Sequence, residues 1–356
     1  IPGTLAAFEE LLNERPELRG LVELNLLAES TFGDIPPEAL EQSDVLVFDT
    51  MNEQMLARFN TERKTDLLKD VLSSGKVLGV GEGLLGQDVY KQQGVEFDGQ
   101  ARAYWQHSGP QNQLALMKLA LMRAGVRGFP LPAPQTSLDF GYYYPDGKTG
   151  RVFATWDEFD AWRAANGKKH PGAAQVAVSF FKATYYSGDT ALLNALIAEV
   201  EKQGGDAVPV FGYPGAVSFD LLLKDKDGNR RADVALGGNF QFADTNAPKL
   251  MEKIDIPTIN LISLYGRSEK DWRESPTGLS LFEGTFNLAV PELAGTIAPI
   301  VVGTKEKKRD EATGLTSVIT SPIRSRVEMA VSRALRYAAL RKTPNAQKKI
   351  ALIYYN

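Results

Sequence analysis

Ala174-Gln-Val-Ala-Val-Ser-Phe-Phe-Lys-Ala-Thr-Tyr-Tyr-Ser-Gly-Asp189, followed by Thr190-Ala-Leu-Leu-Asn-Ala-Leu-Ile-Ala-Glu-Val200, decides the fold. Gln175 to Phe181 is an almost unbroken apolar run, the pattern of a parallel strand covered on both faces. Asp189 is a suitable helix cap, and Leu192, Leu193, Leu196, Ile197 and Val200 share one helical face. Gly204-Gly205 ends that helix, and Ala207 to Phe211 reads as the next strand. The spacing therefore predicts a βαβ unit. Lys182, Tyr185 and Tyr186 sit in the loop at the carboxyl end of its first strand, where open α/β sheets bind ligands.

Working outward, apolar strand patterns alternate with helical ones. Strands are expected at Gly20–Leu27, Asp44–Asp49, Lys76–Gly81, Ala232–Gly237, Ile256–Ile262 and Ile297–Val302. Helices are expected from residue 4 to 14, 53 to 72, 111 to 123, 156 to 165, 246 to 253, 279 to 290 and 321 to 340. This alternation implies an α/β fold with mainly parallel, doubly wound sheets. Residues 1–128 are expected to form one α/β domain. Pro130, Pro132 and Pro134 open a Pro- and Tyr-rich connector, 129–170, with a hairpin around Asp146-Gly147 and a short helix. Residues 171–320 form the second domain. The stretch 321–356 reads as a long helix and the first strand of a further unit, as expected of a fragment of a longer protein.

At 356 residues the chain exceeds one ordinary core. A net charge of −4 gives no reason to expect a nucleic-acid partner, and no apolar run is long enough to span a bilayer. There is no cysteine and there are two histidines, His107 and His170, which excludes thiolate chemistry and a multi-histidine metal site within this chain.

Three local motifs fail on spacing. Gly81-Glu-Gly-Leu-Leu-Gly86 follows a strand, but no helix start follows it and no acidic residue ends a later strand at the required distance, so an ordinary glycine loop is expected. Gly147-Lys148-Thr149 lacks the phosphate-cradling loop before it and reads as a hairpin turn. Asp225-Lys-Asp227-Gly-Asn229 has its glycine out of place for a calcium loop. His107, beside a helix start in Tyr104-Trp-Gln-His-Ser108, is a candidate proton carrier. Gly237-Gly-Asn-Phe-Gln-Phe242 and Ser263-Leu-Tyr-Gly-Arg267 end two further strands and are expected beside the Lys182 loop.

The residues from Phe180 to Tyr213, with Tyr185-Tyr-Ser-Gly-Asp-Thr190 and Pro209-Val-Phe211, resemble the large subunit of cobaltochelatase and the H subunit of magnesium chelatase. Ala232-Asp-Val-Ala-Leu236, Ile256-Pro257 and Leu288-Ala-Val-Pro-Glu-Leu-Ala-Gly295 continue the resemblance. The last is similar to that family's A-L-P-E-L-D-G segment, with Ala294 in place of its aspartate. Lys182 stands where an arginine is commoner.

The resemblance implies a subunit that binds a tetrapyrrole and hosts metal insertion, with ATP hydrolysed by separate AAA+ partner subunits. The metal is then a divalent substrate: cobalt first, for a corrin ring, with magnesium or iron as alternatives. Glu292 maps onto the motif glutamate, giving Glu292 and His107 as candidate acid–base groups. Lys182, Tyr185, Tyr186, Asn239, Phe242, Tyr265 and Arg267 are candidate macrocycle contacts. No residue is assigned as a resident metal ligand. The expected compartment is the cytoplasm. Two alternatives stay open: a haem dechelatase of the same family in the periplasm, and a two-lobed small-ligand-binding module.

Overall fold

In a computed structural model, residues 2–27, 37–81, 83, 85–147, 150–241, 245–309 and 316–353 are described. They fall into two compact units. The first comprises 1–137 together with 185–189 and 307–319; the second comprises 138–184, 190–306 and 320–356. Among the described residues no helix is long and apolar enough to cross a membrane.

In the first unit, β1 (Val45–Asp49) and β2 (Lys76–Val80) pair in parallel, Val45 opposite Lys76 and Asp49 opposite Val80. Phe59, Leu67, Val71 and Val77 fill the core beside them. The helix Pro110–Arg123 packs against Pro2–Glu14 through Leu114, Leu11 and Phe8. Gly99–His107 is capped by Asp98, whose carboxylate accepts from Gln100 N (2.8 Å) and Ala101 N (2.9 Å). The expected helix over 53–72 is two helices, Glu53–Arg63 and Leu67–Ser74. Lys64 takes a left-handed conformation between them, and Asp66 caps the second. Gly20–Leu27 forms no strand.

The glycine loop after β2 packs on its own chain. A side chain at Gly81 would meet Asp49, and one at Gly83 would come within 2.2 Å of the Thr50 carbonyl. The Thr50 hydroxyl donates to Val80 O (3.1 Å) and accepts from Gly83 N (3.0 Å). Close approach of the Thr50 backbone explains Gly83, and a φ of +75° beside the Asp49 carboxylate explains Gly81, without a nucleotide.

An eight-stranded sheet of order β10-β9-β8-β7-β5-β6-β3-β4 carries the second unit, except that residues 307–309 of β9 and 316–319 of β10 group with the first. Its strands are β3 (Gly141–Tyr144), β4 (Arg151–Phe153), β5 (Gln175–Phe180), β6 (Asp206–Phe211), β7 (Val234–Gly237), β8 (Thr258–Ser263), β9 (Ile297–Arg309) and β10 (Thr316–Pro322). From β6 across β5, β7 and β8 to β9 the pairing is parallel. The Tyr-rich stretch expected as a connector belongs to this sheet. β3 and β4 form the expected hairpin, and β3 adds antiparallel to β6. Lys148 and Thr149 of its turn lie outside the described residues. Tyr142, Tyr143 and Tyr144 are all buried, and Tyr142 stacks on Phe159 of the helix Trp156–Ala165 at 4.9 Å. An aromatic run of this size is too apolar to serve as a linker.

The helix Ala191–Lys202 starts two residues beyond Asp189, so Thr190, not Asp189, is at its cap. The arginine-rich helix Arg324–Lys342 is also part of this unit, burying Val327, Ala330, Val331, Ala334 and Ala338. Residues 348–353 beyond it form no strand, and Ile350, Leu352 and Ile353 are exposed.

Candidate functional site

The sheet of the second unit turns the chain in opposite directions after β5 and β7, which are neighbours, so the ligand crevice of such a fold opens at their carboxyl ends. In this chain Asn239 occupies it. Its Nδ2 donates to Gly212 O (2.7 Å) and Phe180 O (3.3 Å), and its Oδ1 accepts from the Ser179 hydroxyl (2.8 Å). The residue is wholly buried, and both of its donors are spent on the ends of β5 and β6. Asn239 is therefore a clasp between strand ends, and it has no donor left for a ligand. Phe240 beside it is buried against Phe219. Phe242 lies outside the described residues.

Lys182 opens the short helix Lys182–Tyr186 after β5, and its ammonium pairs with Asp139 at 2.6 Å. Tyr185 and Tyr186 group with the first unit. There the Tyr186 carbonyl accepts from Gly109 N at 3.2 Å, and Ser187 O accepts from Gly3 N at 2.7 Å. The two tyrosine rings meet edge to face at 4.9 Å. Burial, followed by the neighbouring Tyr186, pushes the Tyr185 phenol up. His107, also in the first unit, accepts at Nδ1 from Ser137 N (3.3 Å). That bond assigns the proton of the neutral ring to Nε2. The two acid–base candidates, His107 and Glu292, thus belong to different units.

The loop after β8 carries Tyr265 and Arg267 and is organised by a residue that the sequence reading passed over, Glu283. This carboxylate is buried, yet it accepts from Ser280 N (2.8 Å), Tyr265 N (3.0 Å) and the Arg267 guanidinium. Burial alone would raise its pKa; the Ser280 and Tyr265 backbone donors, the Ser280 hydroxyl and the Arg267 charge outweigh it and hold the group below the ordinary glutamate range. Ser280 and Glu283 form a reciprocal capping box, and Ser280-x-x-Glu283 was visible in the sequence as that signature.

Arg267 also donates to Gly278 O at 2.7 Å, so its guanidinium is occupied within the chain. Tyr265 is about half exposed and meets Phe282 at 5.8 Å; Phe282 meets Phe286 at 4.7 Å. Lys305, from the carboxyl end of β9, lies 4.6 Å from the Tyr265 ring centre, and no carboxylate among the described residues pairs with it. No sequence pattern marked Lys305, because only the β8–β9 pairing brings it to Tyr265.

Phe282 and Glu292 belong to one continuous helix, 281–293, whose segments are Leu281–Gly284, Thr285–Ala289 and Val290–Leu293. The middle segment is a π-helical turn, in which Val290 N donates to Thr285 O five residues back. The helix does not stop at Pro291, as the sequence led one to expect; it widens to accommodate it. Proline has no N–H and crowds the carbonyl four residues before it. That carbonyl, of Asn287, is taken by the Nδ2 of Asn260 on β8 at 2.8 Å.

Glu292 is exposed, and no described residue makes a hydrogen bond or ion pair with its carboxylate. Pro291 and Ala294 on either side are buried. The helix then leads into the amino end of β9, where Ile297 pairs with Ile259. Glu292 therefore sits toward the amino edge of the sheet, while Tyr265 and Lys305 sit at the carboxyl edge. At the rise of a helix, the ten residues from Phe282 to Glu292 separate the two ends by about 15 Å. Among the described residues no group of three or more histidine, aspartate or glutamate side chains is placed to hold a metal ion.

Residues 102–356 match the model of the CobN/Magnesium Chelatase family. Among curated relatives, the chain is 28% identical over 264 residues to the aerobic cobaltochelatase subunit CobN of a Sinorhizobium species, covering 71% of this chain and 20% of that protein. It is 26% identical over 278 residues to the chloroplastic magnesium-chelatase subunit ChlH of Oryza sativa subsp. indica, covering 71% of this chain and 19% of that protein. The catalytic subunit of cobaltochelatase from Mycobacterium tuberculosis is similar in structure, with a TM-score of 0.57 at 19% identity, over 90% of this chain and 25% of that one. The chain thus spans about a fifth of the length of these curated relatives.

Proposed function

The chain belongs to the CobN/magnesium chelatase family, and from that premise we propose that it is part of the large subunit of a tetrapyrrole metal chelatase, with Glu292 as a proton acceptor. Placing a divalent cation in a free-base ring releases two pyrrole protons, and each must be received and passed to water. An exposed carboxylate with no partner of its own suits that task. Glu292 is such a group, lies in the Pro-Glu-Leu motif, and is anchored by buried Pro291 before it and buried Ala294 two residues after it. This is the observation that carries the reading.

At the other end of the same helix, Tyr265 backed by Phe282 and Phe286 offers an aromatic face for a flat ring. Lys305 supplies a cation for the acidic rim, the role first given to Arg267, whose guanidinium Glu283 already holds. Cobalt as the metal, a corrin ring as the substrate, ATP hydrolysis by AAA+ partner subunits and a cytoplasmic site of action complete the proposal, on the family likeness alone.

The test uses the full-length protein. Absorbance titration with hydrogenobyrinic acid diamide, protoporphyrin and haem is expected to show binding of a metal-free ring, and Glu292→Gln is expected to slow metal insertion by about 100-fold. Binding of none of the three, together with full activity of Glu292→Gln, refutes both substrate class and site. Preference for haem with release of its iron supports the dechelatase.

A further inference from the structure

Glu292 follows directly on a helical irregularity whose cause is local. Pro291 cannot donate, so in an ordinary α-helix the Asn287 carbonyl would be left facing a proline ring. The π-helical turn over Thr285–Ala289 moves that carbonyl aside, and Asn260 meets it with its amide at 2.8 Å. Both asparagines are buried, each about 1% exposed. The Asn287 side chain is stranded by this arrangement: neither its Oδ1 nor its Nδ2 has a partner in the protein. A leucine at 287 would avoid that loss. Buried polar groups left unsatisfied call for an explanation, and π-turns recur beside functional residues.

The turn fixes direction as well as hydrogen bonding. Removing the extra residue from one turn would rotate everything after it by about 100° around the helix axis. Glu292 is the second residue after Val290, which makes the bond that defines the wide turn. Beyond it the chain is pinned, with Ala294 N donating to Val290 O (3.1 Å), Gly295 N to Glu292 O (2.9 Å) and Thr296 N to Pro291 O (3.0 Å).

We infer that Asn260, by holding the Asn287 carbonyl that Pro291 displaces, keeps helix 281–293 in its π register and so sets the direction in which Glu292 points. Asn260 is a positioning residue: it is buried on β8 and acts through the turn. This inference rests on the reading of Glu292 as a proton acceptor, but its geometric half stands without it.

The experiment uses the full-length protein with Asn260→Leu, which removes the donor, and the near-isosteric Asn260→Asp. Tetrapyrrole affinity is expected to stay within about twofold while kcat for metal insertion falls at least about tenfold. The pH profile of the remaining rate should flatten toward that of Glu292→Gln, and either Asn260 change should add no further loss to Glu292→Gln. Losses that multiply, or full kcat in a folded Asn260→Leu, overturn the inference.

A second readout is independent of activity. Residues 1–356 contain no cysteine, so a spin label introduced through Glu292→Cys reports this position once the spectrum of the equally treated parent is subtracted. Asn260→Leu is expected to give the label a second, differently immobilised population, and so is Pro291→Ala with Asn260 intact. If Glu292→Gln is fully active, the acid–base reading fails, and the label alone decides on Asn260. An unchanged label spectrum in Asn260→Leu overturns the inference; should the Asn260 variants not fold, an unchanged Pro291→Ala spectrum overturns it and a second population supports it.

Discussion

Replacing Glu283 with alanine strikes the loop that carries Tyr265. The buried carboxylate accepts from two backbone N–H groups, Ser280 at 2.8 Å and Tyr265 at 3.0 Å, and from Arg267. Breaking a buried ion pair by removing one partner costs about 3–5 kcal/mol, because the other charge is left uncompensated. The Arg267 side chain keeps 23% of its surface in water and retains the Gly278 carbonyl, which places the expected loss near the lower end, about 3 kcal/mol. Glu283→Gln keeps one carbonyl oxygen, enough for only one of the two backbone donors because they bind different carboxylate oxygens. It too leaves Arg267 without its counter-charge, so it should cost about 3 kcal/mol as well. Urea unfolding of both variants measures the losses.

The pH dependence has a definite sign. The folded-state pKa of Glu283 is below the ordinary value, so its contribution is complete above the unfolded carboxylate pKa of about 4.3 and is lost as pH falls through the folded value. The parent should therefore lose its advantage over Glu283→Gln as the solution is acidified below about pH 4. Full stability of either variant at pH 7, or a gap to the parent that does not shrink in acid, refutes the account of Glu283 as a charged hub.

Two further substitutions test other parts of the structure. Ala294 is fully buried, so Ala294→Asp should cost more than about 3 kcal/mol at pH 7. Burial would raise the new carboxyl's folded pKa above its unfolded value, so the cost should be least below about pH 4 and grow as pH rises; thermal unfolding at two pH values checks this, and no cost at pH 7 would reveal a cation at the site. Gly83→Ala puts a methyl group 2.2 Å from the Thr50 carbonyl and should cost about 1–3 kcal/mol by denaturant titration. Gly86→Ala, with open space around it but a φ of +76°, should cost only about 1 kcal/mol, and equal losses at the two positions would refute the close-approach explanation.

The elements that the sequence disclosed are those whose information is local. The apolar run of β5, the leucine stripe of Ala191–Lys202 and the Asp146-Gly147 turn each carry their pattern within a few residues. Long-range pairing left no such trace: β3 adds to β6 across some 70 residues, Gly141 opposite Phe211, and the tyrosines read as a connector became a sheet strand between β6 and β4. Topology brought the loops after β5 and β7 to one sheet edge, yet Asn239 fills the space between the strand ends there, and nothing in Gly237-Gly-Asn-Phe240 distinguishes a ligand contact from a clasp. The Pro-Glu-Leu motif was legible as a motif. Its conformation was not, since proline in a helical pattern ordinarily signals an end, and only Asn260, 27 residues away, makes continuation possible.

That continuation constrains chemistry. Had the helix ended at Pro291, a turn could have brought Glu292 back toward Tyr265, and one wall could have carried both the aromatic face and the base. A helix unbroken from Leu281 to Leu293 holds them about 15 Å apart, and its buried positions along β8, Glu283 and Asn287, leave no freedom to fold the ends together. On the proposed reading, Glu292 then lies at the far end of the helix from a ring stacked on Tyr265. Either the ring centre lies at the Glu292 end and its acidic rim reaches toward Lys305, or protons cross the length of the helix through water. In the first arrangement the aromatic end sets affinity and the glutamate end sets rate. The two ends of one helix then divide holding the ring from taking its protons.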